Sequence, residues 1–110
     1  MIKASEVKRA VVVGAGTMGH SIAQVFAQNG IETGLVDVRE EPLERAMRLI
    51  RFNLETLADY GSVNREEIPA ILGRVTPSTD LARAAEEADF AIEAVVELPE
   101  VKKAVFQQFE

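Results

Sequence analysis

The 110-residue sequence contains no cysteine. That absence excludes disulfides, thiolate nucleophiles and cysteine-based metal sites. Histidine is almost as scarce. His20 is the sole one, no ligand spacing clusters around it, and no metal site is expected. Basic charge is also in short supply. Twelve Lys and Arg face 18 Asp and Glu, for a net charge of −6. Nothing basic is left over for a phosphate backbone, so nucleic acid is not an expected partner. Long apolar runs are missing too. None approaches a membrane span, and residues 1–10 carry lysines without the apolar core of a secretory signal. The expectation is a cytoplasmic protein with no membrane partner.

What is present is an ordinary globular composition, 47% hydrophobic and 27% charged, sufficient for one modest core. No linker, repeat or low-complexity tract interrupts it. Apolar runs alternate with helical patterns throughout. The spacing predicts strands near 8–13, 32–37, 74–77 and 89–94. Helices are predicted over 17–29, 41–60, 65–73, 80–87 and 99–109. The strands are short, rich in Val and Ile, and bounded by Gly, Asp or Pro. Alternation of this kind predicts an α/β fold, a doubly wound parallel sheet with helices on both faces.

The stretch VVVGAGTMGHSIAQ, residues 11–24, places Gly14, Gly16 and Gly19 in the pattern G-x-G-x-x-G. Glycines also punctuate ordinary turns, so the pattern alone says little. Here it follows a strand and opens a helix in which Met18, Ile22, Val25 and Phe26 recur at helical spacing. In that setting Gly14 permits the tight turn and Gly16 admits a pyrophosphate close to the backbone. Gly19 lets the helix pack against the strand. The pyrophosphate would meet free N–H groups and the positive end of the helix dipole. Asp37 ends the next strand, 18 residues after Gly19. An acid at that distance accepts hydrogen bonds from the adenosine ribose hydroxyls. The alternative is an Asp that caps the following helix. Beside the glycines the ribose role is preferred, and a carboxylate there favours NAD over NADP. Arg39 is the discordant residue, because a nearby Arg accommodates a 2′-phosphate.

Leu43, Met47, Ile50, Leu54 and Leu57 form a seam on one face of the long helix, which Gly61 can end. Asn64 with Glu67 then marks a second helix bearing Ile68, Ile71 and Leu72, with Pro69 in its first turn. Together they predict a helical hairpin inserted between the second and third strands of a Rossmann-like half-domain. Arg45, Arg48 and Arg51 lie off the seam. They suit either a phosphorylated ligand or a solvated face with Glu41–Arg45 and Glu44–Arg48 pairs, and the solvated face is the simpler expectation.

Residues 88–110 make the match specific. Glu93-Ala-Val, followed by Glu97 and then Val101, Lys102 and Lys103, joins the glycine motif, Asp37 and the run Thr79, Asp80, Leu81. With these residues the sequence resembles the NAD-binding domain of the L-3-hydroxyacyl-CoA dehydrogenase family, from about Val7 to Glu110. The resemblance implies NAD bound by Gly14, Ala15, Gly16, Thr17, Met18, Gly19 and Asp37. It also implies Glu97 and Lys102 at the nicotinamide end and Asn53 among residues that meet the acyl-CoA. The implied reaction is oxidation of the 3-hydroxyl of an L-3-hydroxyacyl-CoA, as in fatty acid β-oxidation, by a homo-oligomeric enzyme. Two other functions stay open at this point. One is an NAD-dependent dehydrogenase of a related 3-hydroxy acid without coenzyme A, of L-gulonate or carnitine type. The other is a non-catalytic NAD(H)-binding module.

Such a reaction needs a base, usually a His oriented by a carboxylate. In the family this pair lies beyond the segment that ends at Glu110, and His20 sits instead in the first turn of the cofactor helix. No catalytic residue is therefore expected in this chain. Residues 1–110 are expected to form a partial NAD-binding domain, without its remainder and without the C-terminal helical domain. In that case the strand around Phe90–Glu93 would be left as an adhesive edge.

Overall fold

Val11, Val12 and Val13 leave no polar face on the first strand, so it must be buried on both sides. In the computed structural model, which describes residues 8–86 and 88–93, β1 (Arg9–Val13) runs between β2 (Glu32–Val36) and β4 (Phe90–Glu93). β3 (Val75–Ser78) pairs with the outer side of β2, which completes a parallel sheet in the order β3-β2-β1-β4. Val12 is level with Leu35 on one side and Ile92 on the other. Successive side chains alternate between two core layers. Val12, Leu35 and Val75 face the layer shared with α1 (Thr17–Gln28), α2 (Glu40–Asp59) and α3 (Ile68–Gly73). Val11, Val13 and Val36 face α4 (Leu81–Glu86) through Leu81 and Ala84. Helices thus cover both faces, as the strand–helix alternation requires.

The burial of α1 differs from the expected apolar stripe. Its inner face is Gly19, Ala23 and Ala27 with His20 and Gln24, whereas Met18 and Val25 are 67% and 54% exposed. Small residues at four-residue steps bring the helix axis close to the sheet. The bulky side chains at the same pitch are left outside, and only Ile22 and Phe26 flank the core.

The long helix buries Leu43, Ala46, Ile50 and Leu54, with Met47 packed partly against them and Leu57 half-buried. It ends as expected at Gly61, where the Ser62 N–H donates to the Leu57 carbonyl at 2.9 Å. The second arm of the hairpin is split. A 3₁₀ turn (Arg65–Glu67), capped by the Asn64 side chain accepting from the Glu66 N–H, leads into α3. Pro69 explains the break: in one continuous helix its ring would crowd the Arg65 carbonyl and leave it without an N–H donor.

Two charged side chains tie element ends together. Arg74 Nη1 donates to the Ala27 carbonyl at 2.8 Å, a cation on the negative end of α1. Asp89 Oδ2 accepts from the Lys8 and Arg9 N–H groups at 3.0 and 3.1 Å, which aligns the start of β4 beside β1. Those two backbone hydrogen bonds hold the Asp89 carboxyl below its usual range. Among the described residues no helix is long and apolar enough to cross a membrane.

Candidate functional site

The carboxyl ends of β1 and β2 finish level, with Val13 beside Val36. From there the chain reverses through Gly14, whose N–H donates to the Val36 carbonyl at 2.7 Å. Gly14 has φ of +101°, a conformation that a side chain would oppose. The next N–H, that of Ala15, donates to Asp37 Oδ2 at 3.0 Å. Asp37 follows β2 directly, and its own N–H donates to the Ser78 carbonyl at 3.2 Å. One carboxylate oxygen therefore secures the glycine loop, and Oδ1 has no partner among the described residues.

Gly16 is the N-cap of α1, with φ −74° and ψ −159°, which is ordinary extended backbone. A Cβ built on it would meet nothing within 4 Å. No acidic residue and no side-chain cap occupies the first turn of α1, so its leading N–H groups and its dipole stay open to an anion. His20 does not share this opening. It is only 7% exposed, and Nδ1 lies 3.0 Å from the Gly16 carbonyl. A carbonyl oxygen only accepts, so Nδ1 carries the proton.

In front of the loop lies a cleft of about 190 Å³. Ala15, Gly16 and Thr17 form one wall, and Arg39, Glu41, Pro42, Arg45 and Leu49 form the other. A larger, more open hollow of about 670 Å³ lies beyond β3, but Glu40 and Glu44 give it the wrong sign for a phosphate.

The expected site residues separate into four groups. Gly14, Ala15, Gly16, Thr17 and Asp37 converge on the loop and cleft. Gly19 packs inward and Met18 points to solvent. Asn53 stands apart from the cleft, its Nδ2 donating to Gln24 Oε1 at 3.1 Å between α1 and α2. Glu97 and Lys102 lie outside the described residues.

The expected Glu41–Arg45 and Glu44–Arg48 pairs do not form, and the ion pair among the described residues joins Arg65 to Asp59. Exposed long side chains gain little from pairing, so these arginines stay free to turn elsewhere. Arg45 stays exposed, as a solvated face requires, and at the same time lines the cleft. Six positions along an α-helix lie about 240° apart around its axis, so no local spacing paired Arg45 with Arg39.

Residues 9–110 match the family described as "3-hydroxyacyl-CoA dehydrogenase, NAD binding domain". The chain is 40% identical over 102 residues to the 3-hydroxyadipyl-CoA dehydrogenase of Escherichia coli, covering 93% of this chain and 21% of that protein. It is 37% identical over 105 residues to the fatty acid oxidation complex subunit alpha of Idiomarina loihiensis, covering 96% of this chain and 14% of that one. A crystal structure of 3-hydroxybutyryl-CoA dehydrogenase from Escherichia coli superimposes with a TM-score of 0.85 at 40% identity, over 94% of this chain and 22% of the other. The chain thus spans about a fifth or less of the length of these relatives.

Proposed function

The chain belongs to the 3-hydroxyacyl-CoA dehydrogenase NAD-binding domain family, and from that membership we propose that its cleft holds the ADP-ribose half of NAD for oxidation of an L-3-hydroxyacyl-CoA. Gly16 carries this reading. Its backbone is unstrained and its missing side chain faces open space, so the fold makes no demand for glycine there. A pyrophosphate lying on the loop does, because only glycine lets it approach the backbone.

Bound NAD supplies the acceptor for the hydride leaving the substrate's C3. The chain's own residues bind and orient it. The N–H groups of Thr17, Met18 and Gly19, free of intrahelical partners, face the pyrophosphate. Asp37 holds Ala15 with one oxygen and takes a ribose hydroxyl with the other. Glu97 and Lys102 serve the nicotinamide end and Asn53 the acyl-CoA. Residues 1–110 act as part of an NAD-binding domain, within a homo-oligomeric enzyme whose base comes from outside them.

Gly16→Val is the direct test. It is expected to abolish NAD binding in calorimetric titration and to cost at most about 1 kcal/mol of stability, the effect of a poorer N-cap. Unchanged NAD affinity in a folded Gly16→Val variant would remove the pyrophosphate from this loop.

The 110-residue chain is expected to show no turnover with acetoacetyl-CoA and NADH. Its single histidine is buried in α1 and bonded to Gly16 through Nδ1, at the pyrophosphate end and far from any proton to be abstracted. Robust reduction that disappears in His20→Ala would overturn both the role of His20 and the need for an outside base.

A further inference from the structure

Arg39 and Arg45 line one wall of the cleft opposite Gly16 and Thr17. Neither has a hydrogen bond or an ion pair among the described residues, although Glu41 is one turn from Arg45. Arg39 is moreover the N-cap of α2, in extended backbone and with no side-chain cap. Ser, Thr, Asp and Asn suit that position because they accept from the free N–H groups of the first turn. An arginine accepts nothing and sets its charge against the positive end of the dipole. A 20-residue helix that starts this way breaks a local preference beside a cleft, where such departures mark ligand contacts.

We propose that Arg39 and Arg45 form a seat for a phosphate monoester on the adenosine ribose, so that the chain accepts NADP alongside NAD. This rests on the dinucleotide reading of the cleft. A planar guanidinium fork matches a phosphate bidentately, and neither of these two cleft-lining arginines must first break an existing pair. Two carboxylates oppose it. Asp37 already places one oxygen on the Ala15 N–H, which disperses part of its charge. Glu41 is exposed in the first turn of α2 and is free to swing into solvent. The seat therefore offsets the rejection that Asp37 imposes and narrows the gap between the cofactors. Coenzyme A also carries a phosphate monoester on its adenosine, at the 3′ position, so the position of the phosphate has to be tested along with its presence.

Calorimetric titration of the 110-residue chain with NAD, NADP, adenosine 2′,5′-bisphosphate and adenosine 3′,5′-bisphosphate decides the matter. NADP is expected to bind within about tenfold of NAD, and the 2′,5′-bisphosphate more tightly than the 3′,5′ isomer. Arg39→Ala and Arg45→Ala should each weaken NADP by about tenfold or more, the loss of one charge-assisted hydrogen bond. NAD should weaken by less than NADP does in both variants, and thermal melts that match wild type show that they are folded. NADP binding more than tenfold weaker than NAD, or indifferent to both substitutions, overturns the seat and leaves the NAD reading standing. An arginine-dependent preference for the 3′,5′ isomer overturns the NADP assignment in favour of coenzyme A. If NAD itself does not bind, the dinucleotide reading fails and the seat fails with it.

Discussion

Replacing Asp37 with alanine is expected to weaken NAD binding by at least about tenfold and to turn the preference toward NADP. Hydrogen bonds to a charged acceptor contribute about 1.5–3 kcal/mol each, and about 1.4 kcal/mol is tenfold in affinity. Loss of a single ribose contact is enough. The geometry adds a second effect. Asp37 Oδ2 also receives the Ala15 N–H at 3.0 Å, so alanine leaves that donor unpaired and loosens the glycine loop as well. Asp37→Asn separates the two effects. Its side-chain oxygen can still accept from Ala15 and keep the loop in place, but the charge is gone. Its NAD affinity should therefore fall between wild type and Asp37→Ala. The 2′-phosphate no longer meets a carboxylate in either variant, and Arg39 and Arg45 then act unopposed by Asp37. Calorimetric titration of all three proteins with both cofactors is the measurement. Equal NAD affinity in wild type and Asp37→Ala would take Asp37 out of the site.

The largest loss of stability is expected from Leu35→Ala. Leu35 sits in the middle of β2, level with Val12 on one side and Pro77 on the other, and is fully buried. It belongs to the same core layer as Ile50, Leu54, Ala23 and Ala27, so strand and helices all touch the cavity that alanine would leave. Truncation at such a site costs about 3–5 kcal/mol. A domain of this size has only about 5–15 kcal/mol in all. With a urea slope of about 1–3 kcal/mol per molar, the midpoint should drop by at least about 1 M. Saturating NAD should recover part of that loss, because a ligand that binds only the folded state stabilises it. A midpoint within a few tenths molar of wild type would mean that α1 and α2 do not pack on β2 through this residue.

How far the sequence could be read depended on the range of each interaction. Elements set by local pattern were legible to within a residue or two. β2 ends at Val36 and leaves Asp37 just beyond, the long helix stops at Gly61, and Asn64 caps the following turn. The glycine loop was legible for the same reason, since its turn, its helix start and its acid lie at fixed distances along the chain. The face that each helix buries was less so. Met18 and Val25 share the periodicity of a buried stripe, yet Gly19, Ala23 and Ala27 do too, and periodicity does not rank the two. Close approach to the sheet selected the small residues. Pro69 likewise marked a disturbance without specifying a 3₁₀ turn ahead of α3.

The sequence by itself determined the class of the fold, the glycine loop and the family, because backbone conformation, strand–helix alternation and motif spacing are properties of contiguous segments. Only the tertiary structure decided how side chains distant in sequence share their bonding capacity. It gave one oxygen of Asp37 to Ala15, the amide of Asn53 to Gln24, and the guanidinium of Arg74 to Ala27. It also made Arg45, exposed on its solvated face, part of the lining of the same cleft as Gly16 and Thr17. The physical reason is common to all four. A long polar side chain on a helix or loop has several partners within reach, of similar energy in water. Which one it takes is set by the packing of other elements around it and by which competing donors and acceptors have already been satisfied.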